Sequence, residues 1–216
     1  MSPQSLAVDF FLIAHDPFDD GRLAIGAEIL GCGLVGAELA DLIMAHRLWV
    51  DGDDFVTGAE TGAPFDEIDN YVLEAVHVQK AVHAVRSWIE PLQDGLYALV
   101  SERLVTSGVL RQERGTRRLG RGRQPDRFPP VDLLAALRPR QQLADLLRAP
   151  QNLTLSAGVL AALLGVLGVD GLLSPDLDRS TMRELLTEIE QNLPTDLRAV
   201  CNGIRAVTAE MSLRLR

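Results

Sequence analysis

The chain has 216 residues, 47% of them apolar, enough to bury a sizeable core as a single domain spanning residues 1–216 and too many for disorder throughout. Its net charge of −9 is unevenly placed. Residues 1–70 carry 14 acids against two bases, Arg22 and Arg47, whereas residues 111–127 hold seven arginines against Glu113 and Asp126, a local +5 that leaves −14 on the rest.

Ser5 to His15 is apolar with a break at Asp9 and predicts a short helix, closed by the turn residues Asp16-Pro17 and Asp19-Asp20-Gly21. Leu23 to Ile25 suits a short strand. Between Glu28 and His46 the only charges are Glu28, Glu38 and Asp41, and the last two lie three apart, a narrow polar edge on a helix buried on most sides. Arg47–Val50 and Phe55–Thr57 flank Asp51-Gly52-Asp53-Asp54, a hairpin signal. Asp66–Ala75 and Val76–Leu92 show helical spacing, with Val78, Val82, Val85 and Ile89 on one stripe and Pro91 ending the second helix. Leu96 to Gly108 is helical again.

Val109-Leu110 then leads into R-Q-E-R-G-T-R-R-L-G-R-G-R-Q-P-D-R-F-P-P, which predicts an exposed basic hairpin or loop with Phe128 returning to the body. Asp132 can cap a helix running to Arg148, which Pro139 is expected to bend or divide. Ser156 opens an apolar helix. Thr181-x-x-Glu184 offers a capping box for a helix carrying Met182, Leu185, Leu186, Ile189 and Leu193, and Thr195 or Asp196 starts the last helix after Pro194. The sum is an all-α domain with small β-hairpins, one of them basic and protruding.

Several chemistries meet objections. Gly31, Gly33 and Gly36 spell G-x-G-x-x-G, the outline of a dinucleotide-binding turn, but no strand of β-branched residues precedes them and no alternating strand–helix pattern follows. Such a nucleotide-dependent enzyme is the lesser alternative. His15, His46, His77 and His83 have no ligand spacing, Cys32 and Cys201 form no C-x-x-C pair, and no serine sits in G-x-S-x-G, so neither a catalytic residue nor a metal or cofactor is expected. Both cysteines read as buried free thiols in a reducing cytoplasm. No secretory signal is expected at the N-terminus, where no basic region precedes the apolar run. The uncharged stretch 149–169 is apolar only over 157–169, about 20 Å of helix against the ~30 Å of a bilayer core. Leu96 to Arg127 imitates a winged helix, yet its helix offers Arg103 as sole base beside acids, which argues against nucleic acid.

The basic stretch is the strongest candidate site: Arg111, Arg114, Arg117, Arg118, Arg121, Arg123 and Arg127. Arginine's planar fork suits phosphate oxygens, and an acidic body with one basic projection steers that projection toward anions.

The succession Gly33-Leu-Val-Gly-Ala-Glu-Leu-Ala-Asp-Leu-Ile-Met-Ala-His-Arg-Leu48, Thr61-Gly-Ala-Pro, Val85-Arg-Ser-Trp-Ile89 and Glu102-Arg-Leu-Val-Thr-Ser-Gly-Val-Leu110 resembles the Golgi phosphoprotein 3 family over most of the chain. The resemblance implies a helical domain with a protruding β-hairpin and no enzymatic activity, bound peripherally to membranes through phosphatidylinositol 4-phosphate. It also implies binding of protein tails, and self-association through the hairpin at 111–128. Where the family's lipid pocket has a tryptophan, an arginine and two basic residues, this chain has Gly26, Val35, Asp94 and Tyr97. The excess of arginine, 20 of 21 bases, suggests a GC-rich, actinobacterial-type source. The expected function is therefore a cytoplasmic adaptor, peripheral on the inner face of the cell membrane, that binds anionic lipid. A protein-interaction or oligomerisation scaffold without lipid binding is the alternative.

Overall fold

Helix α2 (Ala27–Met44) occupies the centre of the protein, a position its composition dictates. In the computed structural model, which describes residues 5–51, 55–58, 66–79, 83–115, 125–173 and 178–214, every residue of α2 from Leu30 to Ala40 is buried. The chain order around it is α1 (Leu6–Ala14), β1 (His15–Asp16), β2 (Arg22–Leu23), α2, β3 (Leu48–Val50), β4 (Phe55–Gly58), α3 (Glu67–Val78), β5 (His83–Ala84), α4 (Ile89–Thr106), α5 (Leu133–Arg148), α6 (Leu155–Val166), α7 (Arg179–Gln191) and α8 (Thr195–Arg214). Helices α1, α3, α4, α6 and α8 all pack on α2. The strands are short and antiparallel: β1 pairs with β2, and β3–β4–β5 form a second sheet in which Val56 lies opposite both Val50 and His83.

Glycine is a poor helix former, by about 1 kcal/mol relative to alanine, so three of them in α2 need a packing reason. A Cβ on Gly33 would lie 2.0 Å from the buried Phe10 ring of α1, and one on Gly36 would come within 3.0 Å of Leu163 and 3.1 Å of Ile204. These glycines let α1, α6 and α8 approach. Because Gly31, Gly33 and Gly36 all lie inside the helix, they form no phosphate-binding turn.

Four expectations need correction. Val76–Leu92 is not one helix: α3 stops at Val78, residues 83–84 pair with the free edge of β4, and a 3-10 turn over Val85–Trp88 leads into α4. Val82 of the expected stripe lies outside the described residues, and Val78 is exposed. Pro91 sits in the first turn of α4, where its missing N–H costs nothing, so it starts that helix rather than ending the one before. Helix α5 runs unbroken through a buried Pro139, and α7 is capped by Asp178, not by Thr181. Asp132 does cap α5, and Asp66 caps α3, accepting from the amides of Ile68 and Asp69 at 2.9 and 3.1 Å.

The polar edge of α2 faces inward. Glu38 is buried, with Asp41 of its own helix and Asp69 and Asp66 at the start of α3 acting on it; Asp9 of α1 acts in turn on Asp41, and Arg103 of α4 is paired to Asp66. Among the described residues no N–H donor reaches either Glu38 oxygen, and its neighbour is the Asp69 carboxylate, a contact that requires a proton between the two. Burial raises the Glu38 pKa well above the ordinary carboxyl range, so Glu38 carries that proton and donates it to Asp69. Burial also pushes Asp41 up to about 7, although its Oδ2 accepts the Leu6 amide at 2.6 Å.

Two predictions follow from this packing. Gly33→Ala destabilises the protein by on the order of 2 kcal/mol in urea unfolding, because the added methyl would lie 2.0 Å from the fully buried Phe10 ring in a close-packed core. An acid whose folded pKa lies above its unfolded value of 3.8 stabilises the fold below that value and loses this contribution as pH rises through about 7. Asp41→Asn therefore gains melting temperature over the wild type by several degrees between about pH 4.5 and pH 8. A pH-independent difference between the two proteins would contradict the assignment.

Candidate functional site

The basic hairpin grows from an antiparallel ladder whose rungs are fixed by the backbone. Val131 N donates to Val109 O at 2.9 Å, Arg111 N to Pro129 O at 3.0 Å, and Glu113 and Arg127 exchange both hydrogen bonds at 2.9 Å. Beyond the last rung, the Asp126 carboxylate accepts from Gln112 Nε2 at 2.9 Å and from the Gly115 amide at 3.0 Å. This clasps the two strands.

An aromatic plug anchors the ladder to the helical body. Phe128 is buried, its ring edge-on to Phe11 at 5.2 Å, to His15 at 5.4 Å and to Tyr97 at 6.1 Å. Phe11 and His15 are stacked at 4.1 Å, as residues one turn apart at the end of α1 can be. His15 Nδ1 donates to Phe11 O at 2.8 Å, and burial lowers the ring's pKa to about 4, so the ring is neutral near pH 7 and serves packing rather than anion binding. Arg140 of α5 closes this end of α1 by donating from Nη2 to Ile13 O at 2.7 Å.

The return strand also meets the turn between β1 and β2. Phe128 N donates to Gly21 O at 3.0 Å, and a Cβ at Gly21, where φ is +62°, would lie 1.9 Å from Phe128 O. Only glycine fits there. The seam leaves a concavity of about 430 Å³ between Arg22, Leu23, Ile25 and Ala27 on one side and Pro125, Asp126 and Arg127 on the other.

Of the seven predicted arginines, the ladder brings Arg111, Arg114 and Arg127 together, and Arg117, Arg118, Arg121 and Arg123 lie outside the described residues. Arg111 pairs with Glu113 at 2.8 Å and Arg127 with Asp20 at 3.6 Å, both exposed. Arg114 is exposed. The sequence did not point to Arg22, which pairs with Asp19 at 3.7 Å, or to the plug residues Phe11, His15 and Tyr97. For the plug, the only signal was the four-residue spacing of Phe11 and His15. Of the positions where the family's pocket residues were expected, Gly26 and Asp94 are exposed, Val35 is fully buried, and Tyr97 belongs to the plug.

A larger concavity, about 480 Å³, runs between α6 and α7 and is lined by apolar side chains such as Leu153, Leu155, Leu185 and Ile189, with Glu188 its charged group. No arginine, lysine or histidine lines it. Among the described residues no group of His, Cys, Asp or Glu is arranged to hold a metal ion, and both cysteines are buried free thiols, their pKa values raised by burial to about 11 for Cys32 and about 12 for Cys201. Nor is any described helix long and apolar enough to cross a membrane.

Comparison with individual curated proteins gives no match. The family model of Golgi phosphoprotein 3 (GPP34) matches residues 6–204, from the first residue of α1 to the middle of α8 and through the whole hairpin. With nearly the full chain matched, and with a helical body that carries an antiparallel ladder at 109–115 and 125–131, the protein belongs to the Golgi phosphoprotein 3 family.

Proposed function

We propose that the protein is a peripheral adaptor, without catalysis of its own, that docks on the anionic inner face of the cell membrane through the arginine hairpin. The observation that carries this reading is the concentration of seven arginines, net +5, within the 17 residues 111–127 of a chain whose remainder carries −14, with both ends of that stretch held in a backbone ladder. Each base held near an anionic surface contributes on the order of 1 kcal/mol, so a handful suffices for reversible binding. The acidic body orients the molecule by repulsion. Family membership supports an adaptor role, and by resemblance the lipid is phosphatidylinositol 4-phosphate. Because Gly26, Val35, Asp94 and Tyr97 stand where the family's pocket residues were expected, we assign attraction to the hairpin's charge rather than to a phosphoinositide pocket.

The apolar groove between α6 and α7 favours a second role, as a seat for a protein tail or a scaffold surface. Under that reading alone, deleting the hairpin changes oligomeric state while vesicle binding is absent from the start.

Co-sedimentation with vesicles of phosphatidylcholine alone, with phosphatidylserine, or with phosphatidylinositol 4-phosphate tests the proposal. The protein is expected to sediment with both anionic mixtures and not with the neutral one, and to be released by raised salt. Replacing Arg114, Arg117, Arg118, Arg121 and Arg123 by glutamine should abolish the binding. Equal, negligible binding to neutral and anionic vesicles would sink the proposal.

A further inference from the structure

Three apolar side chains that the protein leaves in water lie at the root of the hairpin: Phe18, 74% exposed, Val131, 63%, and Leu134, 77%. Single exposed apolar residues are ordinary on a soluble surface and need no explanation. These three are placed, however, because the segments that carry them are bonded to the two sides of the hairpin ladder. Val131 N donates to Val109 O, and the Phe18 turn accepts the Phe128 amide through Gly21 O.

Phe18 in particular sits on a fully built turn. Asp16 Oδ1 accepts the Phe18 amide at 2.9 Å, Asp16 O accepts the amides of Asp19 and Gly21, and Asp20 and Gly21 adopt left-handed φ of 48° and 62°. The turn's three carboxylates are engaged: Asp16 by the Phe18 amide, Asp19 by Arg22 and Asp20 by Arg127. Such a turn holds the ring outward beside the return strand, so little conformational entropy is lost when the ring enters an apolar medium.

We infer that Phe18 is an apolar anchor that enters the interfacial layer of an anionic bilayer beside the arginine hairpin, with Leu134, in the first turn of α5 where the return strand ends, as a second anchor. The inference rests on the membrane-docking function proposed above and assigns it a residue outside the basic stretch. The chemistry favours a bilayer over a second copy of the chain. Two-fold pairing through this face would set one +5 hairpin against another, whereas anionic headgroups neutralise the arginines and the acyl boundary takes up the ring.

The test places tryptophan at the anchors. Phe18→Trp and Leu134→Trp are made in a Trp49→Phe background, which removes a half-exposed indole and leaves the buried Trp88 as a constant signal. With phosphatidylserine vesicles containing brominated acyl chains, emission from either tryptophan is expected to shift to the blue and be quenched. Phe18→Glu is expected to weaken vesicle binding about tenfold while its melting temperature stays that of the wild type. If Phe18→Trp sediments with the vesicles but its emission neither shifts nor is quenched, the anchor is overturned and the docking function stands. If the wild type does not sediment at all, the docking function fails, and the anchor with it. A blue shift that follows protein concentration without vesicles assigns the face to self-association and overturns the inference.

Discussion

The distance between α1 and α2 is set by the absence of a side chain at Gly33, against which the Phe10 ring lies with no room for a methyl group. Helix α1 is short, so this spacing also fixes its last turn, where Phe11 and His15 stack and receive Phe128. Phe128 in turn is the first residue of the hairpin's return strand to enter the core. A single close helix contact thus propagates through one aromatic plug to the placement of the basic projection. Arg140 reinforces it by satisfying the carbonyls that the end of α1 leaves unpaired.

The same body keeps its charges apart in two different ways. At the base of the hairpin, Arg111 and Arg127 pair with the exposed acids Glu113 and Asp20, so each pair contributes little to stability. Beneath α3, Glu38 and Asp41 are taken out of water among other carboxylates, with Arg103 the cation paired into the group. Burial of that kind is tolerated by holding protons rather than by pairing with bases, which ties the docking of α3 on α2 to pH. One set of charges stays in water, the other is held neutral within the fold.

Much of this architecture was legible in the residues. Apolar periodicity located α2, α6 and α8, and turn residues located the hairpin of β3 and β4, whereas the pairing of His15–Asp16 with Arg22–Leu23 across the Asp16–Gly21 turn was not read. The arginine run marked the projection, and Phe128 could be read as its return to the core. Misread elements share a cause. The stripe of Val78, Val85 and Ile89 has helical spacing, but an available strand edge at β4 competes for residues 83–84, and pairing of that kind is invisible to local periodicity. Pro91 breaks or begins a helix according to which side of it is helical, and the residue alone does not say which. The plug was hidden because Phe11, His15, Tyr97 and Phe128 are brought together from three separate segments. Glu38 and Asp41 looked like a polar edge, since nothing local tells a solvated carboxylate from one covered by α3, about 30 residues further on.

The claim that a rigid helical body presents the hairpin root to an anionic surface is tested most directly by hydrogen–deuterium exchange on phosphatidylserine vesicles. The account predicts new protection over residues 16–22, 109–115 and 125–134, with exchange in α2, α6 and α8 unchanged. Protection confined to the groove between α6 and α7, or none on vesicles that hold the protein, would contradict it.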